Sequence, residues 1–232
     1  AYRGDERFAF ASTIKALAAA VVLDELSTGE LSRRLHWTEA DLVPYSPVTE
    51  RHVEDGLTVR EVLEAAVTVS DNTAGNLMFD LIGGPPGLDR ALEQIGDTTT
   101  EVVRREPELN DYSPGDLRDT TTARALATSL AAFVVGGQLA APDEQLLNSL
   151  LRRSTTGEDL IRSAAPKGWA VGDKTGTGGY GTRNDVAVLT PPGRAPVVVA
   201  VLTRHRSPGA RADDALVAEA ASIVLGALCG RP

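Results

Sequence analysis

The chain has 232 residues, of which 42% are hydrophobic and 24% charged, with a formal net charge of −9. That length fits one large domain or two closely packed lobes and buries roughly 70% of the unfolded surface. The acidic balance argues against nucleic acid and anionic membrane surfaces as partners, but not against an anionic small molecule meeting a locally positive site. Cys229 is the single cysteine, which excludes an internal disulfide and a multi-cysteine metal cluster, and His36, His52 and His205 lack metal-ligand spacing.

In chain order, Arg7 to Ala9 reads as a short strand running into a helix. Thr13 to Leu26 suits that helix, without Gly or Pro, and within Ile14 to Leu23 only Lys15 is polar. A helix apolar all round is normally buried, so Lys15 stands out. Ser27-Thr28-Gly29 ends it. Residues 29–57 read mostly as loop, held extended by Pro44 and Pro47. Thr58-Val59-Arg60-Glu61 has the form of a capping box, opening a helix to about Val67. Further helices are expected from Thr73 to Ile82 and from Pro85 to Ile95. Residues 96–121 carry no sustained period and read as a functional loop. Thr122 to Val135 and Pro142 to Arg152 are again helical.

After Gly168 come three β-branched runs, Trp169 to Lys174, Thr182 to Leu189 and Ala195 to Thr203. The last two flank the turn Pro191-Pro192-Gly193 and so form an antiparallel hairpin. The closing helix, Ala212 to Leu228, has an apolar stripe of Leu216, Val217, Ala220, Ala221, Val224 and Leu228. The fold class is α+β: an antiparallel sheet built from the N- and C-terminal segments with flanking helices, plus an all-helical lobe. The expected division is one domain over 1–232, with residues 1–11 and about 155–232 in the α/β lobe and about 12–154 in the helical lobe. No apolar run reaches the ~18 uncharged residues of a membrane span. The chain carries no signal peptide and starts abruptly at Ala1-Tyr2-Arg3, as if a leading segment had been removed.

Four short motifs carry chemistry. Ser12 sits at the N-cap or first turn of the first helix, with Lys15 one turn on along the same face. Burial favours a neutral amine, and a neutral lysine can take a serine's proton; taken alone, the pair reads first as a cap and a lysine snorkelling from the helix end, because Ser-x-x-Lys is common by chance. Ser70-Asp71-Asn72 places a second hydroxyl and a carboxamide between two helices, where such residues also serve as caps. In the long loop, Glu106 and Asn110 stand four apart and can position a water, with the carboxylate as general base. Arg104 and Asp119 bracket that loop, and their ion pair matters only if partly buried. Lys174-Thr175-Gly176-Thr177-Gly178-Gly179 follows a strand and suits a carboxylate, unless it is simply a Gly-rich turn. It lacks the spacing of a phosphate-binding loop.

The four motifs in this order are far more specific than any one of them. Together with Leu42-Val43-Pro44-Tyr45-Ser46-Pro47-Val48-Thr49, Arg118-Asp119-Thr120-Thr121-Thr122 and Tyr180-Gly181-Thr182-Arg183-Asn184-Asp185, they give a chain that closely resembles the class A serine β-lactamases, the actinobacterial ones above all, over nearly its whole length. The resemblance implies a two-lobe fold and hydrolysis of penicillins and cephalosporins through an acyl-enzyme. It implies Ser12 as nucleophile, Lys15 and Glu106 as candidate acylation bases, and Ser70 as the proton relay to the leaving nitrogen. Asn72 would hold the substrate's side-chain amide, and Tyr45 would wall the site. Backbone N–H groups of Ser12 and Thr177 would form the oxyanion hole. Lys174, Thr175, Thr177 and Arg183, on a strand opened by Gly176, would bind the substrate carboxylate, and Glu106 with Asn110 would activate the deacylating water. No cofactor or metal is implied; the enzyme would be a secreted or periplasmic monomer.

Without a deacylating base the same serine and lysine would acylate and stall, as a D-alanyl-D-alanine peptidase or a β-lactam sensor does; the Glu106–Asn110 loop argues for turnover. Members of the family carry a leading helix and first strand ahead of the stretch that begins here. Some carbapenem-hydrolysing members have a linked cysteine pair where this chain has Ala11 and Gly178, so that bridge is excluded.

Overall fold

The computed structural model describes residues 1–229; residues 230–232, the end of the expected α/β lobe, lie outside the described residues. Strand β1 (Arg7–Ala9) leads through a 3₁₀ turn, Ala11–Thr13, into α1 (Ile14–Glu25). Every α1 side chain from Ile14 to Leu23 is buried, Lys15 included, as its apolar circumference requires. Two short strands, β2 (Arg34–Leu35) and β3 (Leu57–Thr58), pair antiparallel and frame the proline-stiffened loop between them.

Helix α2 (Val59–Thr68) begins at the expected capping box: Glu61 N–H donates to Thr58 Oγ1 at 3.3 Å, and Thr58 N–H donates to the Glu61 carboxylate at 2.7 Å. Two further helices follow, α3 (Asn72–Leu81), capped by Asp71, and α4 (Pro85–Gln94), entered through prolines. After the long loop come β4 (Thr120–Thr122), α5 (Ala123–Val134), α6 (Ala141–Arg152) and the short α7 (Ile161–Ala164). Helix α1 packs against α2 through α6, so a helix buried nearly all round occupies the middle of the helical assembly. Strands β5 (Ala170–Gly178), β6 (Thr182–Thr190) and β7 (Val197–Thr203) form an antiparallel sheet in that order, and α8 (Asp214–Cys229) packs on it. The chain is thus an α+β protein of two lobes.

Three details differ from the sequence-based expectation. Strand β1 does not join the C-terminal sheet; it pairs with β4, Phe8 opposite Thr121. Its end reaches the sheet through a side chain, Asn184 Nδ2 donating to Ala9 O at 2.7 Å and Phe10 O at 3.2 Å. The Lys174-Thr175-Gly176 motif lies inside β5 rather than after it, because the β6 pairing extends through Gly178. Helix α8 buries Val217, Ala221 and Leu225, whereas Leu216 and Val224 of the expected stripe are exposed. With apolar residues on most sides of this helix, periodicity does not choose the buried face.

Candidate active site

The 3₁₀ turn before α1 holds Ser12 at the mouth of a cleft of about 540 Å³ between the helices and β5. Ser12 makes no capping hydrogen bond, and neither does Thr13 as the α1 N-cap. The hydroxyl instead donates to Glu106 Oε1 at 2.9 Å. Lys15 Nζ meets the same Oε1 at 2.9 Å and also donates to Ser70 O at 2.8 Å and Asn72 Oδ1 at 2.6 Å. Asn110 Nδ2 donates to the other carboxylate oxygen, Glu106 Oε2. Three side chains, two from the start of the first helix and one from the loop itself, therefore converge on one carboxylate.

Burial sets the electrostatics. Lys15, Glu106 and Lys174 are at most 2% exposed. Burial pushes the Lys15 amine below the usual lysine range, opposed by Glu106 and Asp71. Lys174 is pushed down to about 7, by burial first and by the positive charge of Lys15 second. Lys174 Nζ donates to Ser70 Oγ at 2.9 Å and to Thr175 O at 2.8 Å. A hydroxyl accepting from an ammonium keeps its own hydrogen free, so Ser70 can present its O–H to the cleft.

The cleft is lined by Ser12, Tyr45, Ser70, Asn72, Asn110, Thr175, Gly176, Thr177 and Arg183 from the expected set. Lys15, Glu106 and Lys174 lie beneath that surface. The groups open to an anionic ligand are the Thr175 and Thr177 hydroxyls and Arg183; Lys174 acts from behind them. Arg183 is aimed by two bonds, to Asp214 Oδ1 at 2.5 Å and Thr177 Oγ1 at 3.0 Å. Gly176 permits the close approach of β5, since a Cβ there would stand 2.9 Å from Phe10 O and 3.1 Å from Ser12 N. Asn72 gives one amide hydrogen to Pro44 O at 2.8 Å, which leaves its second N–H for the cleft. Tyr45 is 62% exposed and forms the rim. Ala11, Tyr45 and Ser70 all have positive φ (48°, 65° and 63°), so the backbone is strained at three points around the cleft.

Several residues escaped the sequence reading. Asn76 grips the backbone of Glu106 from both sides, Nδ2 donating to Glu106 O at 2.8 Å and Oδ1 accepting from Glu106 N–H at 2.9 Å. It stands one turn after Asn72 on α3, a spacing that marks it once Asn72 is suspected. Thr155 and Thr156 line the cleft, and Thr156 Oγ1 lies 2.7 Å from Thr175 Oγ1, with nothing in the sequence to announce them. Behind β5, burial raises Asp173 despite its ion pair with Arg162, and raises Asp185 further. The Arg104–Asp119 pair is 2.5 Å long with Asp119 only 1% exposed, so it meets the burial condition under which it matters.

A model of the Beta-lactamase enzyme family matches residues 1–228. The β-lactamase of Amycolatopsis lactamdurans is 54% identical over 228 residues, 98% of this chain and 76% of that protein. That of Bacillus subtilis is 50% identical over 228 residues, 98% and 74%. Among solved structures, the class A β-lactamase from Clostridium kluyveri superposes with a TM-score of 0.97 at 44% identity, covering 99% of this chain and 87% of that one. A halotolerant bacterial β-lactamase gives 0.97 at 47%, covering 99% and 88%. With the family model spanning almost the whole sequence and relatives at half identity, the chain belongs to the β-lactamase enzyme family, as a class A member.

Proposed function

We propose that this β-lactam hydrolase opens its substrate with Ser12 and is regenerated by Glu106. The Ser12 proton passes to Glu106 Oε1, the acceptor it already faces, while Oγ attacks the lactam carbonyl. Lys15, hydrogen-bonded to the same oxygen, is the second candidate base and can take the proton when Glu106 is removed. The carbonyl oxygen takes up charge against the N–H groups of Ser12 and Thr177, where one donor is typically worth about 2.7–4 kcal/mol. As the C–N bond breaks, Ser70 gives its proton to the ring nitrogen and is resupplied through the lysines beside it. Thr175, Thr177 and Arg183 hold the substrate carboxylate, Asn72 its side-chain amide, and Tyr45 its outer face.

The observation that carries the reading is the shared carboxylate, with Ser12 on one oxygen of Glu106 and Asn110 on the other. Asn110 Oδ1 is buried with no hydrogen-bond partner among the described residues and so accepts from a water whose other proton goes to Glu106. That water attacks the ester carbonyl, the Ser12 oxygen leaves with the proton, and the ring-opened acid departs. We also take the chain as one domain with lobes at about 12–154 and at 1–11 with about 155–232, acting as an extracellular or periplasmic monomer.

Glu106→Ala tests the assignment. Mixed with benzylpenicillin, it is expected to accumulate a stable acyl-enzyme, seen as a mass increase on the intact protein. Normal multiple turnover by this variant would remove Glu106 from its assigned role.

A further inference from the structure

Besides the Arg104–Asp119 pair at its neck, the loop that carries Glu106 and Asn110 is fastened near each of these two residues. Its Glu106 end is held to α3 by the paired Asn76 bonds. Its Asn110 end runs along the β5–β6 turn, where Gly179 N–H donates to Asn110 O at 3.0 Å. Gly178 has no side chain to interfere, since a Cβ there would stand 2.7 Å from Asn110 O. Beyond Asn110, the side chain of Tyr112 enters a stack. Its ring meets Tyr180 edge-on, centroids 5.3 Å apart at 89°. The Arg204 guanidinium lies 5.1 Å from the Tyr112 centroid and 5.5 Å from that of Phe8. The stack thus joins the loop to β1, to the β5–β6 turn and to the residue after β7.

Tyr180 is out of place on backbone grounds. It has φ 58° beside Gly181 at 61°, a turn that favours Asn, Asp or Gly and strains a bulky side chain. A tyrosine there makes sense through its ring, which Tyr112 receives. His205 N–H donates to Tyr180 O at 2.8 Å and steadies the same corner.

We propose that the Phe8–Arg204–Tyr112–Tyr180 stack is a clasp that positions Asn110 against Glu106 and thereby governs deacylation rather than acylation. This rests on the assignment of Glu106 and Asn110 to the hydrolytic step. Ser12, Lys15, Ser70 and Lys174 make no hydrogen bond to a residue of the stack, and Glu106, which Ser12 and Lys15 do touch, keeps its own anchor on Asn76. Loosening the clasp therefore moves one partner of the Glu106–Asn110 pair and leaves the acylating groups in place. Tyr112, Tyr180 and Arg204 are positioning residues and touch none of the reacting atoms.

The test uses Tyr180→Gly, which removes the ring while giving the turn the residue its φ prefers, alongside Tyr180→Phe and Arg204→Leu. Acylation and deacylation are read separately from the pre-steady-state burst with a chromogenic cephalosporin and from the acyl-enzyme fraction at steady state. Tyr180→Gly and Arg204→Leu are expected to acylate within about threefold of the parent and to deacylate about tenfold more slowly, the scale of a small misplacement of reacting groups. Tyr180→Phe, which keeps the ring edge, is expected to match the parent. Unchanged deacylation, or equal falls in both steps, would overturn the clasp. If Glu106→Ala accumulates acyl-enzyme while Tyr180→Gly gives no burst, the clasp alone fails; if Glu106→Ala turns over normally, the hydrolytic assignment beneath it fails.

Discussion

Lys174 Nζ donates to Ser70 Oγ at 2.9 Å across 104 residues of sequence, from a side chain that is itself fully buried. The ammonium therefore reaches substrate through a hydroxyl and through the Thr175 and Thr177 wall rather than by direct exposure. Because its ordinary hydration is gone, its charge is easily lost.

That gives a pH dependence with a definite sign. Lys174 is pushed down to about 7 by burial and by Lys15, so it is charged below that pH and neutral above. An anionic substrate needs the charged form. For benzylpenicillin, kcat/KM, which reports the free enzyme, should fall on the alkaline side as pH rises through the neutral range. Lys174→Arg, whose guanidinium stays charged, should flatten this limb even if the absolute rate drops. An unchanged limb in the variant would assign it to another group.

Asp185 predicts an opposite kind of effect, on stability. Burial, and then the nearby Asp173, raise it well above the usual carboxylate range. The native state keeps the proton where the unfolded chain has released it, so its contribution is complete below the ordinary value of 3.8 and is lost as pH rises through the raised one. Asn cannot ionise and still accepts from Ile161 N–H, now 3.1 Å from Asp185 Oδ2. Thermal midpoints of the parent and Asp185→Asn at about pH 5 and about pH 8 should show the variant gaining on the parent at the higher pH. A difference that stays constant, or moves the other way, contradicts the protonated native carboxyl.

Asp119 accepts from Val103 N–H and Arg104 N–H, both at 2.9 Å, and from Arg104 Nε at 2.5 Å. Asp119→Ala leaves these donors unpaired and should cost about 2–4 kcal/mol, or roughly 5–15 °C in Tm for a domain of this size. It should also lengthen the life of the acyl-enzyme, because the released segment carries Glu106. Asp119→Asn should lose less, since Asn tolerates the positive φ of 55° found there. Equal losses in the two variants would show that the side-chain bonds matter less than their geometry suggests.

The candidate site was legible because its residues are conspicuous in context. Lys15 is the lone polar residue between Ile14 and Leu23, and Glu106 and Asn110 stand four apart in a loop without period. The helices were legible through caps and breakers, from the Thr58–Glu61 box to the prolines opening α4 and α6. What resisted was whatever depends on partners distant in sequence. Strand β4 is three threonines whose pairing with β1 no local pattern encodes. Lys174 reads from the sequence as a carboxylate ligand, and its burial comes from the surrounding sheet and helices, which no local pattern encodes. Asn76 and Thr156 are ordinary polar residues until the fold brings Glu106 and Thr175 to them.

The left-handed backbone at Ala11, Tyr45 and Ser70 has a consequence for how this sequence can change. Each such residue costs on the order of 1–3 kcal/mol, against a net stability of about 5–15 kcal/mol for a whole protein. The rim of the cleft thus carries three of the six non-glycine residues with positive φ among the described residues. Substitutions that let this rim settle are the easiest route to a more heat-resistant chain, and they remove the shape on which turnover depends. Under selection for endurance alone, the cleft would be the first part to blunt.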